Sequence, residues 1–103
     1  MNRAHEYLKS RGETVADWDG NCGGLADLIA GDNAEMIWVE GPAIEWRYHM
    51  VPLIDGLVHD AWCEGDALPI GEWLAKMFGD EWVEVSKNGE VTIYEGPANQ
   101  FKL

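Results

Sequence analysis

Apolar positions recur at two spacings along the chain, and each change of spacing marks an element. Ala4, Tyr7, Leu8 and Arg11 stand at helical intervals and predict a short helix over residues 3–11, ended by Gly12. Residues 13–20 then form an acidic loop. Asn21 is a candidate N-cap for a second helix over residues 22–30, with Leu25, Ala26, Leu28 and Ile29 inward and Gly31 as the stop. Residues 36–40 read as a strand, Gly41-Pro42 as a turn, and residues 44–54 as a second strand. Asp55-Gly56 has the composition of a two-residue hairpin loop, with a return strand over residues 57–62. Ile70, Trp73, Leu74, Met77 and Phe78 place a third helix over residues 69–78, opened by Pro69 and capped by Gly79. Residues 82–86 and 90–94 complete a last hairpin around Asn88-Gly89. Hairpin-linked strands beside helices predict an α+β fold, with N-terminal helices packed on an antiparallel sheet of about five strands.

Composition narrows the picture. A chain of 103 residues that is 47% hydrophobic, with six tryptophans, can fill one core and is expected to be a single domain over residues 1–103. Against 19 Asp and Glu stand 7 Lys and Arg, a formal net charge of -12. Such a chain repels phosphate backbones and anionic membranes, so neither nucleic acid nor membrane is an expected partner. Residues 1–12 are polar and carry no signal-peptide core, and no apolar run has membrane-spanning length. A cytoplasmic location is expected, with Cys22 and Cys63 as free thiols.

The chemistry centres on Cys22. It falls in the first turn of the second helix, where unpaired N–H groups and the helix dipole favour a thiolate and can hold an oxyanion. Gly23, with Gly24, leaves room for a substrate. In the register set by a two-residue turn, Val51 faces Asp60 and His49 faces Trp62. His49, Val51, Val58, Asp60 and Trp62 then share one face, and His59 lies on the other. Asp60 would orient His49, and His49 would deprotonate Cys22. A one-residue bulge would put His59 in place of Asp60.

The stretch Asn21-Cys22-Gly23-Gly24-Leu25 resembles the Asp-Cys-Ser-Gly-Leu nucleophile motif of the NlpC/P60 cysteine hydrolases. The segment from His49-Met50-Val51 through Asp55-Gly56 to Val58-His59 resembles their His-bearing hairpin. The resemblance covers about residues 21–62 and extends to the wider papain-like and transglutaminase-like hydrolases. It implies a papain-like core, with Cys22 as nucleophile, His49 as base and a third residue at Asp60 or His59. Asn21 stands where the family motif has Asp, and no Gln precedes Cys22 as an oxyanion donor, which leaves Asn21 or backbone N–H groups for that role.

These features predict a thiol hydrolase or transferase acting on an amide or ester bond, needing no cofactor, on a peptide or amide substrate. Asn21, Gly23, Trp18 and Trp62 are the candidate substrate contacts, Trp62 also serving to shield the His-Asp pair. A second reading is an acidic binding protein, of phage or mobile-element origin, that imitates nucleic acid and blocks a basic protein partner. A third is an interaction module whose Cys and His are core residues. A zinc site from Cys22, His49, His59 and Cys63 lacks a CxxC pair and has its histidines on opposite faces, so no metal is expected. Cys63 is a bystander or a resolving thiol.

Overall fold

The computed structural model describes residues 1–18, 21–31, 35–40, 48–79 and 92–97. Among them are helices α1 (Arg3–Arg11), α2 (Cys22–Ala30) and α3 (Ile70–Phe78), with a 3-10 turn at Val15–Trp18. The strands are β1 (Glu35–Glu40), β2 (Tyr48–Ile54), β3 (Leu57–Val58), β4 (Leu68–Pro69) and β5 (Thr92–Pro97). They form one sheet in the order β4-β3-β2-β1-β5, every pairing antiparallel. The α+β class and the antiparallel sheet are as expected.

Alternation along β1 divides the core between the two faces of the sheet. Ile37 and Val39 join Val51, Val58, Cys63, Trp73 and Leu74 under α3. Met36 and Trp38 face the other way and pack with Met50, Ala26 and Cys22 of the α2 layer. Outside that layer, Ala4 and Leu8 of α1 meet Leu25 and Ala61. The N-terminal helices therefore cover one face and α3 the other. Leu28, placed inward by helical spacing, is 55% exposed.

The Asp55-Gly56 turn forms as expected, with φ of 53° and 79° and Ile54 opposite Leu57. The return strand is much shorter than the expected residues 57–62. Its ladder holds Leu57 and Val58, and one further bond runs from His59 N–H to the Pro52 carbonyl, 3.1 Å. The chain then turns, Cys63 N–H meeting the Asp60 carbonyl at 3.3 Å. The cause lies in the Asp60 side chain, whose Oδ1 accepts the Trp62 N–H at 3.0 Å. That contact to the second residue on is an Asx-turn, and it draws the chain out of the ladder. The expected pairs Val51–Asp60 and His49–Trp62 are therefore absent from the ladder.

Strand β4 was not foreseen, because two residues ending in a proline carry no period. The last expected strand, over 90–94, is described from Thr92 onward as β5, which runs on to Pro97 and pairs with β1. The expected strand over 82–86, the Asn88-Gly89 turn, Gly41-Pro42 and the start of the 44–54 strand lie outside the described residues.

One side chain ties α1 to the Asp60 turn. Asn2 Oδ1 caps α1 by accepting from the N–H groups of Ala4 and His5, at 3.0 and 3.4 Å. Its Nδ2 donates to the Asp60 carbonyl at 2.9 Å. Around it, Arg3 N–H donates to His59 Nδ1 (2.9 Å), and Ala67 N–H to the Met1 carbonyl (3.2 Å). Asn2→Ala removes a cap and the shorter of two hydrogen bonds to the Asp60 carbonyl, so urea unfolding is expected to show a loss of about 1–2 kcal/mol. Asn2→Asp keeps the cap acceptor but not the donor, and its loss should be smaller.

Candidate functional site

Three buried side chains from three parts of the chain meet where β3 stops. Pro52 directs its carbonyl to the β3 edge of β2, and residues two apart on a strand direct their polar groups to the same edge. The N–H of Met50 therefore also faces that edge, beyond the last residue of β3. It donates to Cys22 Sγ at 3.4 Å. The thiol thus takes the position that a carbonyl of a longer β3 would have filled. The short return strand opens a gap through which the α2 layer reaches His49.

His49 Nε2 lies 3.0 Å from Asp60 Oδ1. Cys22 is the other ionisable neighbour of the imidazole, and each of the two side chains shifts the titration of the other. Asp60 is held at both oxygens. Oδ1 accepts from His49 and the Trp62 N–H, and Oδ2 accepts from the indole N–H of Trp73 at 3.0 Å. Two tryptophan rings enclose the imidazole. Trp62 meets it edge-on with centroids 5.3 Å apart, and Trp73 lies nearly parallel to it at 6.4 Å. Exposure falls along the line, from 8% at Cys22 to 2% at His49 and 1% at Asp60.

The electrostatics follow from these contacts. Burial alone would push the Cys22 thiol up, but hydrogen bonds from His49, Met50 and Gly23, with the charge on His49, bring it below the ordinary thiol value. Burial alone would depress His49. Hydrogen bonds to Asp60 and Cys22 and their negative charges outweigh it and raise the imidazole from 6.5 to about 9. Asp60 is likewise lowered against its burial by His49, Trp73 and Trp62. Together these shifts favour a thiolate beside an imidazolium.

His59 is placed elsewhere. Its Nδ1 accepts the Arg3 N–H, and burial together with the nearby charges of Arg3 and the N-terminus lowers its pKa, so it is a neutral ring that anchors α1. The partner of His49 is Asp60. Trp18 packs on the α1–α2 cluster, and its indole N–H meets no acceptor among the described residues. Asn21 stands at the N-cap of α2 as expected, but its side chain makes no cap bond. Its amide lies over Gly24, where a Cβ would stand 2.5 Å from Oδ1. Gly23 lets α2 approach Met50, whose Sδ a Cβ would meet at 3.4 Å. Cys63 sits in the core under α3, across the sheet from Cys22, and burial raises its thiol. Among the described residues no cluster of three His, Cys, Asp or Glu suits a metal ion. Sequence reasoning missed Trp73, whose helical spacing marked it only as core.

Compared with protein-family models, curated proteins and solved structures, the chain matches none. The site is therefore read from its own geometry. No helix among the described residues is long and apolar enough to cross a membrane.

Two outcomes are expected. In a Cys63→Ala background, alkylation of Cys22 by iodoacetamide should rise with pH at a midpoint below that of an ordinary thiol, and His49→Ala should move the midpoint upward. An ordinary midpoint in both proteins would contradict the ion pair. The second outcome concerns stability. A raised folded-state pKa means that protonated His49 contributes its full stabilisation below about 6.5. That contribution is lost as pH rises through about 9. The lowered Cys22 thiol acts with the opposite sign, adding stability as pH rises toward the ordinary thiol value, and offsets that loss in the parent chain. In a Cys22→Ala background the loss stands alone: urea unfolding between pH 6 and 10 should show it losing more stability than Cys22→Ala/His49→Gln, on the order of 1–3 kcal/mol.

Proposed function

We propose that this chain is a thiol hydrolase or transferase acting on an amide or ester bond, with Cys22 as nucleophile, His49 as acid and base, and Asp60 as the residue that orients His49. One observation carries the reading: a buried thiol at a helix start is held by the N–H of the residue next to a buried imidazole, and that imidazole bonds a buried carboxylate. Core residues alone have no need of that order, because each buried polar group demands its own partners. The order along the chain, Cys on a helix, His on a strand and Asp after the next strand, supports kinship with the papain-like hydrolases suggested by the motifs around Cys22 and His49.

In this mechanism Sγ attacks the substrate carbonyl carbon, and the carbonyl π pair moves to oxygen. The first N–H groups of α2 precede its first internal bond, Leu25 N–H to the Asn21 carbonyl at 3.2 Å. They and the exposed Asn21 amide are the donors proposed for that oxygen. Collapse of the adduct breaks the bond to the leaving amine or alcohol, which takes the proton from His49. Water or another acceptor then attacks the thioester, losing its proton to His49 as Sγ departs. Trp62 shields the His49–Asp60 bond from water, a role its edge-on contact supports. The location proposed for this chemistry is the cytoplasm, where both thiols stay reduced.

The acidic-inhibitor reading is not favoured by the surface. Among the described residues, exposed carboxylates occur on both helical layers, for example Glu6 and Asp27 on one side and Glu72 on the other. A nucleic-acid mimic needs them gathered on one face.

The test is acylation by an activated ester such as p-nitrophenyl acetate, read by intact mass in the Cys63→Ala background. One acyl group is expected on Cys22, with a rate that falls about 100-fold in His49→Ala and at least about 10-fold in Asp60→Asn. Acylation at an ordinary thiol's rate, indifferent to His49, would overturn the proposal.

A further inference from the structure

Asp60 Oδ2 takes its donor from α3, the helix on the face of the sheet to which His49 belongs. That donor is the indole N–H of Trp73, on α3, at 3.0 Å in a setting where Trp73 and Asp60 are each 1% exposed. The same indole backs the imidazole, its ring 29° from parallel with His49 and centred 6.4 Å away. A core tryptophan needs only one acceptor for its N–H. Here that acceptor is the carboxylate that holds the imidazole, and the ring that carries the donor packs against that imidazole.

We propose that Trp73 is a positioning residue of the Cys22–His49–Asp60 site, fixing the Asp60 carboxylate through its indole N–H and the tilt of the His49 ring through its face. The inference rests on the proposed thiol chemistry. Trp73 touches neither Sγ nor substrate and acts through Asp60. A carboxylate anchored only at Oδ1 can rotate about its last bond, swinging the accepting oxygen away from Nε2. His49 then loses its aim at Cys22. The Trp62 N–H cannot replace the anchor, because it already serves Oδ1.

The experiment is a double-mutant cycle in the full chain, in the Cys63→Ala background, read as the rate of Cys22 alkylation by iodoacetamide at pH 7. Trp73→Phe keeps an aromatic ring and removes the N–H. It is expected to lower the rate about tenfold, the scale of one hydrogen bond to a charged group. In an Asp60→Asn background the same substitution should change the rate less than twofold, since its target is gone. An unchanged or raised rate, or an equal fall in both backgrounds, would overturn the inference and leave Trp73 as packing. If the parent thiol itself is ordinary and indifferent to His49→Ala, the proposed function fails and the inference falls with it. A second measurement covers a Trp73→Phe chain that does not fold. In the parent protein, the Trp73 indole ¹⁵N–H resonance should shift when Cys22 is alkylated and titrate with the His49 ring. An indole signal indifferent to both would equally overturn it.

Discussion

A carboxylate buried at Asp60 sets the terms for the rest of this molecule. An ionised carboxylate taken out of water costs several kcal/mol, and only close partners offset it. Asp60 gathers three donors from three sources: an imidazole on β2, an indole on α3 and the backbone of its own turn. A fourth contact, from Asn2 to its carbonyl, fixes the turn to α1. Each partner is thereby placed by the same group. The sheet, both helical layers and the N-terminal cap meet at one residue, so the packing of the fold and the geometry of the site are one constraint. Removing any single partner leaves charge or a polar group stranded, which is costlier than never having buried the pair.

The same turn explains how the thiol reaches the imidazole. His49 belongs by alternation to the face with Val51, under α3, whereas Cys22 belongs to the α2 face. A full-length β3 would have separated them. The Asx-turn stops that strand early, and the Met50 N–H donates to Cys22 Sγ instead of to a strand carbonyl. Gly23 permits the approach of α2 that this requires. A sulfur in place of a strand carbonyl is a weaker acceptor, but as a thiolate it gains from the N–H and from the imidazolium together.

Much of this was legible beforehand, though partly by a different route. Helical spacing with glycine stops located α1, α2 and α3, because capping and period act locally. Asp55-Gly56 marked the hairpin, because φ above zero selects those residue types. His49 and Asp60 were expected together from the register of a six-residue return strand. They do meet, yet the strand ends after two residues and the Asp60 side chain makes the turn. Aspartate's tendency to bond its own backbone was the signal to weigh against alternation there. The place of His59 followed correctly from parity up to residue 59, where the ladder's last bond lies. Trp73 had no signal of its own. Its indole N–H finds Asp60 only through tertiary packing of α3, and six tryptophans in 103 residues are each core by default. Leu28 shows the reverse error: a helix of nine residues buries one stripe, and Leu25 and Ala26 already fill it.

The chain's charge sharpens the case for contact interactions at this site. A net charge of -12 spread over so small a body favours cations everywhere, raising the cost of a thiolate while lowering that of an imidazolium. Left to that field, Cys22 would be a poor acid. But exposed carboxylates act through water and are screened within about 8–10 Å at ordinary ionic strength. The groups that act on Cys22 are in direct contact and largely excluded from water: His49, the Met50 N–H and the Gly23 N–H. At that range the effective dielectric is low, and one neighbouring positive charge outweighs many distant negative ones. The acidic surface and the lowered thiol are therefore compatible. The surface contributes to holding the proton on His49, and the buried hydrogen bonds decide that it comes from Cys22.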